Sequence, residues 1–171
     1  MVTKLNEEAL LKLIADNRRI IFKVCNAYCK NKHDREDLQQ EIVYQLLRSY
    51  TNYKAEYKFT TWMYRVALNV AISHYRKAKT TDTIITFDDE PPEIEDKSDG
   101  EAETETDKNI NILHQFINAL KELDKALMIL YLEEKSYAEI AEILGITETN
   151  VATKISRIKE KLKMQFNTLN T

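Results

Sequence analysis

Between Thr147 and Lys161 the chain sets Thr149, Asn150, Thr153, Lys154, Arg157 and Lys161 one, three or four residues apart. At that spacing they share one face of a helix. Hydroxyl, amide, ammonium and guanidinium groups gathered on one face can reach phosphates and base edges, the contacts by which duplex DNA is held and read. Glu148 opens the helix, and a carboxylate there can accept from a cytosine amino group. Val151, Ile155, Ile158 and Leu162 recur on the other side as a stripe to be buried, and Thr147 is a suitable N-cap.

The residues just before must hold this helix in place. In SYAEIAEILG, Ser136 and Glu139 have the spacing of a capping box, and Tyr137, Ile140, Ala141 and Leu144 form an apolar face. Gly145 supplies the left-handed residue that ends a helix at no steric cost. Two short helices joined by a tight glycine turn are the helix-turn-helix plan, in which the second helix enters the major groove. The plainer alternative is a helical hairpin with a solvated lysine face.

A second set of polar groups lies upstream. In DREDLQQEIVYQ, Asp37 and Glu41 stand one helical turn apart with Gln40 and Tyr44 beside them. Such a pair can hold a metal for nuclease work, form a solvated acidic face, or dock a basic partner helix. No second carboxylate cluster with histidine accompanies it, which disfavours metal catalysis. Cys25, Cys29 and His33 follow at intervals of four, a zinc-like spacing without an evident fourth ligand, so buried thiols are expected and no metal. No phosphate-cradling glycine loop or nucleophile motif occurs, and neither a catalytic residue nor a cofactor is expected.

These residues need a helical frame. Leu10, Leu13, Ile14, Ile21, Val24, Cys25 and Tyr28 line one long helix, or two broken near Asn17. Asp34 is placed to cap a helix carrying Leu38, Ile42, Val43, Leu46 and Leu47. Ser49 to Lys58 reads as an aromatic loop, and a third helix starts at Thr60 or Thr61 with Phe59, Trp62, Val66, Val70 and Ala71 buried. Its outer face is expected to show Tyr64, Arg65, Asn69, Ser73, Arg76 and Lys77, with Tyr50, Tyr53 and Tyr57 in the loop before it. Aromatic rings beside a basic groove suit single-stranded nucleic acid, whose bases stack while its backbone follows the positive charge.

The charge is divided unevenly. Of a net charge of -3, residues 80–107 carry -11, from twelve acids against Lys97, leaving +8 on the rest. With Pro91, Pro92 and Gly100, that stretch cannot bury enough apolar surface to offset its ordering entropy and reads as a flexible tether, with Ile84, Ile85 and Phe87 as a short docking patch. The expected fold is all-α: a helical bundle at 1–79, the acidic linker at 80–107 and a helix-turn-helix domain at 108–171. No apolar run approaches the ~20 residues of a membrane span. The acids within the amphipathic N-terminus argue against a signal peptide, so a cytoplasmic location is expected.

Taken together these segments resemble the bacterial primary-type sigma factors, in their small extracytoplasmic-function (ECF) subfamily. Asp37-Leu38-Gln39-Gln40-Glu41 is similar to the segment that docks on the clamp helices of the largest RNA polymerase subunit. FTTWMYRVALNVAISHYRK, from Phe59, is similar to the segment that recognises and melts the minus-ten promoter element. SYAEIAEILGITETNVATKISRIKEKL is similar to the helix-turn-helix that reads the minus-thirty-five element. The resemblance implies polymerase binding through Asp37, Gln40, Glu41 and Tyr44. It implies minus-ten contacts from Tyr53, Tyr57, Arg65, Asn69, Arg76 and Lys77. It implies minus-thirty-five contacts from Thr147, Thr149, Asn150, Thr153, Lys154, Arg157 and Lys159. Core RNA polymerase, promoter DNA and an anti-sigma factor are the implied partners. There are departures: Leu68 stands where a basic residue is common, Ser73 where an acid is, and Asp124, in place of a frequent proline, is expected to cap the following helix. A helix-turn-helix regulator working without polymerase is the alternative.

Overall fold

The computed structural model describes residues 7–54, 56–82 and 104–169. The chain divides into two compact units, Met1–Asp88 and Asp89–Thr171. Every regular element among the described residues is helical. Six of the largest fully buried side chains lie in the first unit (Val24, Leu38, Ile42, Leu46, Met63, Leu68) and six in the second (Leu127, Leu130, Ile140, Ile143, Val151, Ile155), so each unit has its own core. Burying one such side chain stabilises by about 1.5–3 kcal/mol.

In the first unit α1 (Glu7–Asp16) and α2 (Arg18–Tyr28) are separated at Asn17, whose side-chain amide donates to the Leu13 carbonyl at 2.9 Å. α3 (Lys32–Ser49) is capped by Asn31 and not by Asp34. Asn31 Oδ1 accepts from the Asp34 N–H at 2.8 Å, and its Nδ2 donates to the Asp34 carboxylate at 2.8 Å. Asp34 therefore sits in the first turn, where its charge favours the positive end of the helix dipole. A single 3-10 turn, Tyr50–Asn52, leads by a loop to α4 (Phe59–Asp82), which begins one or two residues before the expected start at Thr60 or Thr61.

α4 packs against both α2 and α3, and this fixes its rotation. Thr61, Met63, Tyr64, Ala67, Leu68 and Ala71 are buried, whereas Trp62, Val66 and Val70 are only half-buried. Tyr64, expected on the outer face, is a core residue at 3% exposure, and Leu68 is buried at 1%. The cause is two-sided packing: the helix is apolar over most of its circumference, so spacing alone does not fix its phase. Cys25 and Cys29 are buried at the end of α2, while His33 is exposed on α3. The change of helix between them takes His33 off any common helical face. Burial, with the neighbouring Cys29, pushes the Cys25 thiol up to about 12, which keeps it protonated and unreactive.

In the second unit α5 (Glu105–Ala119) opens with a capping box between Thr104 and Asp107, so Glu105 and Asp107, counted above with the acidic stretch, form its first turn. The Thr104 hydroxyl and N–H hold the Asp107 carboxyl below its ordinary range. Ile84, Ile85 and Phe87 lie outside the described residues. α6 (Glu122–Leu132) is buried from Lys125 to Leu130 and is touched by α5, α7 and α8. Its N-cap is Lys121, and Asp124 stands inside the first turn without capping it. α7 (Tyr137–Leu144) and α8 (Glu148–Leu169) complete the unit.

Candidate nucleic-acid interface

The helix corner of the second unit is built by three local devices. Ser136 Oγ accepts from the Glu139 N–H at 3.1 Å, and the Ser136 N–H donates to the Glu139 carboxylate at 3.0 Å, which starts α7. Gly145, with φ of 69°, ends α7, and the N–H groups of Gly145 and Ile146 both donate to the Ala141 carbonyl, at 2.9 and 3.1 Å. Thr147 Oγ1 then accepts from the Asn150 N–H at 3.1 Å and starts α8. α7 and α8 pack together, and their buried sides are Ile140, Ala141 and Ile143 on α7 and Val151, Ile155 and Ile158 on α8. Tyr137 is exposed and Leu144 half-buried, so the inner face of α7 is rotated toward Ile143 relative to the expected stripe.

The outer face of α8 presents Thr149, Asn150, Thr153, Arg157 and Lys161, with Lys154 half-buried beside them. Two of the hydroxyls assigned to DNA already have backbone work. Thr147 caps the helix, and Thr153 Oγ1 donates to the Thr149 carbonyl at 3.0 Å. Each hydroxyl keeps part of its hydrogen-bonding capacity, and Asn150, Lys154 and Arg157 add an amide, an ammonium and a guanidinium to the same side of the helix. Lys159 does not belong to it. Two residues from Arg157 is about 200° around a helix, and the Lys159 ammonium lies over the Tyr131 ring of α6 at 4.3 Å. A hydrogen bond to Tyr131 is the main cause that raises its pKa.

In the first unit a groove of about 580 Å³ runs between α3 and α4. Asp37, Glu41 and Gln45 form one wall, and Asn69, Val70, Ser73, His74 and Lys77 the other. The acids assigned to polymerase thus share a groove with two residues assigned to minus-ten DNA. Gln45 Nε2 donates to Glu41 Oε1 at 3.1 Å, and His33 Nε2 lies 3.5 Å from Asp37 Oδ2. Gln40 and Tyr44 open onto the adjoining side of α3 with Glu36, Gln39, Val43 and Leu47. Tyr44 is 55% exposed, a large ring held out on an acidic helix. Arg65, Asn69 and Arg76 lie within about 40° of one another on the exposed side of α4.

The loop tyrosines are not equivalent. Tyr50, Tyr53, Phe59 and Trp62 pack as a cluster with ring centroids 5.2–6.1 Å apart, whereas Tyr57 is exposed. Lys54 and Lys58 are exposed on either side of Tyr57. Neither lysine was among the residues expected at the site, although a lysine at i-3 and i+1 from a loop tyrosine was visible in the sequence. Gln45 was also missed; its place one turn beyond Glu41 was the available signal.

Among the described residues no group of three His, Cys, Asp or Glu side chains could hold a metal ion. No helix among them is long and apolar enough to cross a membrane.

Comparison with known proteins places both units. Residues 13–81 match Sigma-70 region 2, and residues 110–162 match Sigma-70, region 4. The sigma factor SigV of Bacillus subtilis (strain 168) is 29% identical over 158 residues, covering 92% of this chain and 90% of that one. The ECF sigma factor SigW of the same organism is 29% identical over 187 aligned positions, covering 98% and 94%. The fold is shared with the sigma factor RpoE of Bartonella quintana, solved with the anti-sigma factor NepR. There the TM-score is 0.66 at 14% identity, over 91% of this chain and 97% of that one. With one unit matching each of the two regions and full-length relatives among the ECF proteins, the chain belongs to the sigma-70 family of RNA polymerase sigma factors, in its ECF subfamily.

Proposed function

We propose that this protein is a dissociable promoter-specificity subunit that binds core RNA polymerase and directs it to a set of promoters. The observation that carries the reading is the presence on one chain of two DNA-suited surfaces, each on a unit of the matching region. The first unit offers an acidic face for docking beside a basic, aromatic face for opened DNA. The second offers a helix-turn-helix with a polar outer face. The protein would act in the cytoplasm, as a binding subunit and not as an enzyme, and an anti-sigma factor would hold it inactive.

The residue roles within this reading are as follows. Asp37, Gln40, Glu41 and Tyr44 meet the polymerase. Arg65, Asn69, Arg76 and Lys77 meet the minus-ten element. Thr149, Asn150, Lys154 and Arg157 meet the minus-thirty-five element, with Thr147 and Thr153 supporting the helix that carries them. Residues 83–103, rich in acids, would tether the units and oppose DNA binding away from polymerase, since like charge repels phosphates.

The test is direct. The purified chain is mixed with core RNA polymerase, checked for co-elution, and assayed for transcription on a library of promoter fragments. Co-elution with new, fragment-specific transcripts is the expected result. DNA binding without any association with polymerase would instead identify a helix-turn-helix regulator.

A further inference from the structure

The loop before α4 is held in shape by its own aromatic side chains. The Tyr53 ring stacks on Tyr50 at 5.9 Å and 25°, and lies 5.2 Å from Trp62 and 6.1 Å from Phe59. Phe59 and Trp62 stand in the first turn of α4, 5.6 Å apart. Tyr53 is therefore seated on a platform that the helix itself carries. From this seat its hydroxyl donates to the Tyr57 carbonyl oxygen at 2.7 Å. The Tyr57 N–H donates in turn to the Lys54 carbonyl at 3.1 Å. These two bonds fix the backbone on both sides of Tyr57, which is 37% exposed between the exposed Lys54 and Lys58. Partial burial, and then the neighbouring Tyr50, push the Tyr53 phenol up, which keeps it a donor.

We propose that Tyr53 is a positioning residue: its hydroxyl fixes the loop tip so that the Tyr57 ring receives an unpaired base of opened DNA, with Lys54 and Lys58 on the adjacent phosphates. The proposal rests on the promoter-recognition reading above and divides between two residues a role that was assigned to both. Tyr53 spends its ring on Tyr50 and Trp62, while Tyr57 is the more exposed of the two. Stacking needs only a π-face and nearby positive charge, which the tip supplies. A ring held ready loses less conformational freedom on binding than one on a slack loop.

The experiment uses the full chain with core RNA polymerase on a promoter it transcribes, carrying a fluorescent base in the minus-ten element. It reads closed-complex affinity and the rate of strand opening separately. Tyr53→Phe keeps the ring on its platform and removes only the donor. It should slow opening about fivefold, the worth of one ordinary hydrogen bond, with closed-complex affinity unchanged and the thermal midpoint lowered by no more than the few degrees such a bond is worth. Tyr57→Ala should slow opening further, and adding Tyr53→Phe to it should change nothing more, because Tyr53 acts through Tyr57. Opening at the parental rate in Tyr53→Phe, or a double variant in which both effects add in full, overturns the proposal. A parent chain that binds polymerase but opens no promoter overturns the promoter reading and this proposal with it.

Discussion

The two units approach nucleic acid by different constructions. In the second, one helix carries the candidate reading surface, and its neighbours hold it in place. α8 buries Val151, Ile155 and Ile158 and turns Asn150, Arg157 and their neighbours outward, a division that follows from a single period of 3.6 residues. In the first, no single element makes the surface. One wall of its groove comes from α3 and the other from α4, and its aromatic tip comes from a loop folded onto the start of α4. A surface on one helix tolerates change residue by residue. A surface assembled from three elements depends on the core that holds them together.

The largest effects should follow that division. Leu46 and Ile155 are fully buried, one in each core. Truncating either to alanine should cost about 2–5 kcal/mol, enough to threaten a unit of this size. Leu46→Ala should abolish strand opening yet leave binding to a minus-thirty-five duplex. Ile155→Ala should do the reverse, as thermal unfolding and duplex binding on the same samples would reveal. If either variant removed both activities, the two cores would not be energetically separate. Next in size is a pair on α8. Arg157→Ala should lose about 1–3 kcal/mol of discrimination between promoters if it meets a base, while Lys159→Ala, with its partner ring Tyr131 on the far side, should keep the parental preference. Equal losses in a competition assay across promoter variants would erase the distinction between those faces. The acidic face should respond more weakly. Asp37→Asn removes an exposed charge, so polymerase affinity should fall by roughly 1 kcal/mol or less, with the loss shrinking as salt is added. A salt-independent loss would mean that Asp37 acts by shape and not by charge.

The same contrast explains what could be read from the sequence. The corner of the second unit was legible to the residue, because Ser136, Glu139, Gly145 and Thr147 act on partners within five positions along the chain. The stripe of Leu38, Ile42 and Leu46 was legible for the same reason, and the break at Asn17 was one of two readings the spacing left open. The rotation of α4 was not. Its buried arc is set by α2 and α3 together, and Tyr64 and Leu68 lie in it although Trp62, Val66 and Val70 have an equally regular spacing. The cap of α3 was misplaced because Asn31 and Asp34 are both good cappers, and only the reciprocal bonds between them show which is outside the helix. Lys159 was assigned to the minus-thirty-five element through the family resemblance and not through helical spacing, which sets it about 200° from Arg157.

The remaining predictions concern stability at the two turns that frame α7, and they should differ in sign. Gly145 and Glu134 are the two described residues with positive φ, at 69° and 58°. Each closes a helix in the same manner: Ile146 N–H reaches back to the Ala141 carbonyl at 3.1 Å, and Lys135 N–H to the Leu130 carbonyl at 3.2 Å. At Gly145 a new Cβ would meet nothing within 4 Å, so the effect of Gly145→Ala is backbone strain alone, about 1–2 kcal/mol of lost stability. At Glu134 that strain is already present in the parent. Glu134→Gly relieves it but loosens the unfolded chain, and the two terms oppose each other. The net should be a gain of no more than about 1 kcal/mol, because glycine's extra freedom in the unfolded state offsets part of the relief. Denaturant midpoints of the two variants, with binding to a minus-thirty-five duplex as the second readout, test both. Loss of stability in Glu134→Gly would mean that its side chain, and not its backbone, holds the α6–α7 corner. Loss of DNA preference in Gly145→Ala beyond its loss of stability would mean that the corner sets the angle of α8 finely enough to matter at the base edges.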